Sequence, residues 1–73
     1  MSIRVLTSEH VDFHNELERY LLKHDVILAN GSKKNGSNPT TNETFLWSLY
    51  AATYSSESVS DGIAQRARSL MAK

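Results

Sequence analysis

The chain has 73 residues, no cysteine, and eight Lys plus Arg against eight Asp plus Glu, for a formal net charge of zero. That balance excludes a protein held to duplex nucleic acid by bulk positive charge, and the missing thiols exclude disulfide staples, thiolate nucleophiles and cysteine-bound zinc. An apolar content of 40% suits one globular domain over residues 1–73, yet so small a core seldom supplies more than about 3–5 kcal/mol, so a homo-oligomer is expected.

The first element is a helix. Thr7 or Ser8 can cap it, and Glu9 and Asp12 follow where the helix dipole favours negative charge. Phe13, Leu17, Tyr20, His24 and Ile27 then recur at alternating spacings of four and three, widened by Leu21 and Leu28 into one apolar stripe. Asn30-Gly31 stands where a left-handed C-terminal cap is usual. The spacing predicts a helix over about 8–30. Strands at Ile3–Leu6 and Val26–Ala29 around a shorter helix are the alternative, because Val26 and Ile27 are β-branched.

Residues 31–40 are a Gly/Ser/Asn/Lys loop closed by Pro39. Thr40-Thr41-Asn42-Glu43 behind it fits a capping box, and Phe45, Leu49, Ala52, Ser56, Val59, Ile63, Arg66 and Leu70 extend a second stripe towards the C-terminus. A helix over about 41–72 is expected, continuous or gently kinked, with Ser58 as the new cap if the serines at 55–58 divide it. The fold class is therefore all-α: an antiparallel helical hairpin of two or three helices, assembling into an oligomeric bundle. Folding about the loop sets Ile27 near Phe45, Tyr20 near Ala52, Leu17 near Ser56 and Phe13 near Val59. Left uncovered are Leu22, Val26, Trp47, Tyr50, Ala51 and Tyr54, an aromatic face of the kind that marks an interface.

Catalytic signals are weak, and no enzyme and no cofactor are expected. His10 and His14 stand at i, i+4 but without the glutamate of a His-Glu-x-x-His zinc motif, which reads as two surface histidines; His24 reads as a hydrogen-bonded core or rim imidazole. No Gly-x-Ser-x-Gly elbow is present, and Gly31 to Gly36 keeps a Walker-like gap without its Lys and Ser/Thr. Anion binding is the chemistry that survives. The amides at the start of the second helix, the hydroxyls of Ser37, Thr40 and Thr41, Asn38, and the charges of Lys33 and Lys34 can hold a phosphate, with Trp47 or Tyr50 to stack a base. Arg66, Arg68 and Lys73 form a basic cluster that complements the helix dipole. The longest apolar run, Val26-Ile27-Leu28-Ala29, is too short for a membrane span, and Met1–Leu6 lacks the apolar core of a secretory signal, so a cytoplasmic protein is expected.

Phe13 through Leu17 to His24, then Asn35-Gly36-Ser37-Asn38-Pro39-Thr40-Thr41 and Phe45-Leu46, resembles the small helical-hairpin sponges that phages direct against nucleotide-signalling immunity. These are the anti-CBASS sponges and the related Thoeris anti-defence hairpins, and the resemblance covers roughly residues 13–50. In this chain the loop is longer and Pro39 precedes the threonines. The resemblance implies non-catalytic sequestration of a cyclic nucleotide signal in the host cytoplasm, with Lys33, Lys34, Ser37, Asn38, Thr40, Thr41, Trp47 and Tyr50 as ligand contacts. A small helical inhibitor or adaptor acting through the aromatic face is the competing expectation.

Overall fold

The computed structural model describes residues 8–72, which form three helices: α1 (Ser8–Lys23), α2 (Thr41–Tyr54) and α3 (Asp61–Met71). Among the described residues there is no strand, only a single antiparallel bridge between Val26 and Lys33. The all-helical expectation holds, with three helices, the higher of the two numbers expected.

α1 stops at Lys23, seven residues before the expected end. Asp25 takes a left-handed φ of 61°. The Val26 amide donates to Leu21 O and the Asp25 amide to Leu22 O, which is the paired bonding of a Schellman cap. Val26 and Leu21, both buried, supply the apolar contact that accompanies such a cap. The chain then folds back: the Lys34 amide donates to Asp25 O and the Gly31 amide to Ile27 O. Gly31 is thus an inner turn residue rather than the helix cap. A shorter helix with Val26 in β pairing was the alternative, reduced here to one bridge; Ile3–Leu6 and Thr7 lie outside the described residues.

α2 begins where predicted. Thr40 Oγ1 accepts from the Glu43 amide at 3.1 Å, and Glu43 Oε1 accepts from the Thr40 amide at 2.8 Å, completing the capping box. Its buried side differs from the expected stripe: Glu43, Leu46, Leu49, Tyr50 and Thr53 point inward, while Phe45 and Ala52 are half-buried. The cause lies in composition. Apolar side chains surround α2, so apolar spacing alone does not say which side meets α1, and two of the inward residues are polar.

The serine segment ends α2 outright. Ser56 is left-handed at φ 63°, and the Glu57 and Ser56 amides donate back to Ala52 O and Thr53 O in a second Schellman cap. Ser60, not Ser58, caps α3, its side chain accepting from the Ile63 amide. Ile63 and Arg66 are exposed rather than core, and Ala67 is the fully buried anchor of α3.

α1 and α2 run antiparallel, but in another register. His10 and His14 reach Thr53, Glu18 reaches Tyr50 and His24 reaches Glu43. Relative to the predicted pairs, α2 has slid by more than one helical turn. α3 returns alongside α1 in the same direction: Asp61 and Ala64 share a groove with Glu9 and Phe13, and Met71 shares one with Arg19 and Lys23. The core between them is Phe13, Leu17, Leu21, Val26, Leu46, Leu49, Tyr50 and Ala67. Its three fully buried leucines each contribute about 1.5–3 kcal/mol.

Candidate functional site

The eight residues expected to grip a ligand divide into internal ties and exposed loop positions. Lys33 is a tie. Its ammonium donates to Glu43 Oε2 at 2.9 Å and to the His24 carbonyl at 2.7 Å, joining the last carbonyls of α1 to the capping box of α2. Glu43 is buried, and the bond from Lys33, then that from the Thr40 amide, hold its carboxyl below the usual range against the opposing pull of burial. His24 sits at the rim, one of its two expected places, with its Nδ1 3.8 Å from Glu43 Oε2, beyond hydrogen-bond length, and its ring stacked on Tyr20 at 4.1 Å.

Trp47 and Tyr50 are also committed. The Trp47 indole N–H donates to Leu28 O at 2.7 Å, and the ring lies over Gly31, where an added Cβ would stand 2.9 Å from Cδ2. Gly31 serves here for close approach as well as for its φ of 74°. Tyr50 is buried; its ring stacks on His14 at 4.7 Å and its hydroxyl donates to Glu18 at 3.3 Å. Burial first, then the Glu18 charge, raises its pKa. Tyr50 is thereby closed off from behind and from one side, while Trp47 stays half-buried at the edge of an open groove.

Thr40 is spent on the cap. Lys34, Ser37, Asn38 and Thr41 are exposed around the start of α2. Ser37 is held by its amide donating to Asn35 Oδ1 at 2.9 Å. Of the eight expected contacts, Lys34, Ser37, Asn38 and Thr41 are those that lie exposed around the start of α2 outside the Lys33 tie and the cap.

His10 and His14 are not idle surface residues. Thr53 Oγ1 gives its proton to Tyr50 O at 2.9 Å, so His14 must donate from Nδ1 to Thr53 Oγ1 at 2.8 Å, and His10 donates from Nε2 to Thr53 O at 3.2 Å. The i, i+4 pair fixes the end of α2. Among the described residues no group of three or more His, Cys, Asp or Glu stands together to hold a metal.

The surface left open is apolar. Leu28, Ala29, Trp47, Tyr50, Ala51 and Tyr54 line a groove of about 370 Å³, and Leu22, Val26, Ile27 and Leu28, with Asp25 and Lys34 beside them, line a second of about 340 Å³. Leu28 belongs to both, so the two form one strip across α2 and the α1–α2 connection. Leu22 is 57% exposed and Tyr54 74%. The uncovered aromatic face read from sequence is thus partly present. Val26, Trp47 and Tyr50 have been drawn in, while Leu22, Ala51 and Tyr54 remain. Ile27 and Leu28, assigned to the helix-1 stripe, join them because α1 ends early; recognising Asp25 as the helix end would have found both.

Among the described residues no helix is long and apolar enough to cross a membrane. No family model, curated protein or solved structure matches the chain.

Proposed function

We propose that this chain is a non-catalytic binding module that docks the apolar face of a helix from a partner protein. The observation that carries the reading is the continuous strip Leu22–Ile27–Leu28–Trp47–Ala51–Tyr54, in which side chains as large as Leu and Tyr stand in solvent beside two joined grooves. Exposed apolar surface of this kind, floored by residues held rigidly from behind, suits a helix-in-groove mode with low ordering cost. Trp47 is fixed by its bond to Leu28 O. It would form the stiff centre, with Leu22 and Tyr54 at the ends.

Nucleotide sequestration is the second reading. It draws support from Lys34, Ser37, Asn38 and Thr41, which are exposed together around the start of α2. One experiment separates the two. A photo-reactive side chain in place of Tyr54 should cross-link a single partner at an amphipathic helical peptide, and Leu22→Lys with Ala51→Lys should abolish the capture. Calorimetry against cyclic di- and trinucleotides and cyclic ADP-ribose products should be silent at about 50 μM protein, where micromolar binding registers. Heat with one of them, removed by Lys34→Ala and Thr41→Val but kept in the strip variant, would overturn docking in favour of sequestration.

A further inference from the structure

A trough between α1 and α3 has one sign of charge at each end. At one end Glu9 and Asp61 line it beside His10, with Phe13, Val59 and Ala64 as its floor; at the other stand Arg19 and Lys23, with Glu16, Tyr20 and Met71. The helices run in the same direction and both begin acidic and end basic, so their dipoles and their side chains grade the trough alike. Arg68 borders both halves. It is held from beneath by the Phe13 ring, whose centroid lies 5.3 Å from its guanidinium carbon, and from the side by Glu16 at 3.5 Å. Arg19 and Lys23 make no ion pair with any described residue. With Glu16 paired to Arg68, a chain of zero net charge therefore carries a net positive end at Arg19 and Lys23 and an acidic end at Glu9 and Asp61 on one face.

We infer that this face pairs two copies of the chain, antiparallel about a two-fold axis near Arg68. That rotation sets the Arg19–Lys23 end of one copy against the Glu9–Asp61 end of the other, twice over, while the opposite orientation meets like charge at both ends. Such self-complementarity is what an isologous interface requires. The extent is modest. Two helices of these lengths offer about 400 Å² per copy, or about 800 Å² in all, at the low end for specific contacts. The dimer is consequently weak and salt-sensitive, with orientation set by charge and adhesion by the apolar floor. It leaves the Leu22–Tyr54 strip open on each copy, so the dimer would present two docking strips and gain avidity for a bivalent target.

Charge exchange tests this. Sedimentation of the full chain over about 10–200 μM should show a reversible dimer at about 20 mM salt that dissociates at about 300 mM, where screening is short-ranged. Arg19→Glu with Lys23→Glu, and separately Glu9→Lys with Asp61→Lys, should each weaken dimerisation at least about ten-fold, and an equimolar mixture should recover it to within about three-fold. Circular dichroism confirms that both variants fold; if either does not, the salt dependence of the unaltered chain decides. A chain monomeric throughout the range, a dimer unchanged by salt, or a mixture no better than its folded components would overturn the inference. Loss of the dimer in the Leu22→Lys, Ala51→Lys variant would overturn it too, by moving the contact to the strip.

Discussion

At the scale of single residues, four left-handed positions shape the turns among the described residues, and the two that are not glycine, Asp25 and Ser56, strain them. Asp25 ends α1 with a left-handed backbone that costs an L-residue about 1–2 kcal/mol, whereas glycine carries about 0.5–1 kcal/mol of extra chain freedom. Asp25→Gly should therefore raise stability by roughly 0.5 kcal/mol, read as a higher urea midpoint at unchanged slope. Gly31 and Gly36 both have positive φ, at 74° and 84°, but only Gly31 lies against Trp47; an added Cβ at Gly36 meets nothing within 4 Å. Gly31→Ala should cost about 2–4 kcal/mol and disturb Trp47 fluorescence, and Gly36→Ala only about 1 kcal/mol with fluorescence unchanged. Equal costs would show that the indole does not rest on Gly31. These positions also mark where the sequence was hard to read. Asn30-Gly31 is the stronger cap signal by composition, and Asp25 took the role because Val26 could bury itself against Leu21.

At the scale of elements, α1 and α2 are joined by a polar clasp that apolar patterning does not reveal. The Thr40–Glu43 capping box was legible from four residues, since each of its bonds is local. The second bond to Glu43, from Lys33, was not, because it depends on a fold-back of residues 24–34 that no periodicity encodes. The break after Tyr54 was equally obscured: the stripe keeps its phase through Ser55–Ser58 although the helix does not. The Glu43 carboxyl lies below its ordinary value of 4.5 in the folded chain, so it stabilises the fold fully above about pH 4.5 and progressively less as pH falls through the folded value. Unfolding followed from pH 7 to pH 2.5 should show that loss, with a flatter profile in Glu43→Gln. Lys33→Met removes the partner of a buried carboxylate and should cost about 2–3 kcal/mol at pH 7, discounted from the cost of a fully buried pair because Lys33 remains 17% exposed. α3 has less to hold it, with Ala67 its one buried residue among those described. Its amides should exchange with solvent at lower protection than those of Leu17, Leu21 and Leu46, as expected of an element that opens locally.

For the whole molecule, the decisive separation is between apolar side chains that make the core and those left on the strip. Leu46 is fully buried and Leu22 is 57% exposed, although both lie in helices and look alike in the sequence. Leu46→Ala should cost about 2–5 kcal/mol, because it removes buried methyl groups and leaves a cavity that the neighbours only partly fill. Leu22→Lys removes little buried surface and should change stability by no more than about 0.5 kcal/mol. Tyr54, 74% exposed and tilted at 6.1 Å against Tyr50, should tolerate Tyr54→Lys to within about 1 kcal/mol. Unfolding of the double variant Leu22→Lys, Tyr54→Lys by urea at about 5 and 100 μM, in about 300 mM salt so that the α1–α3 face does not pair, then shows whether the strip is open in the free chain. An open strip gives the same midpoint at both concentrations and a value close to the unaltered protein. A strip already closed over by another copy gives a large loss of stability and removes a concentration dependence that the unaltered protein would have to display, because burying Leu22 and Tyr54 between copies would make folding and association one equilibrium.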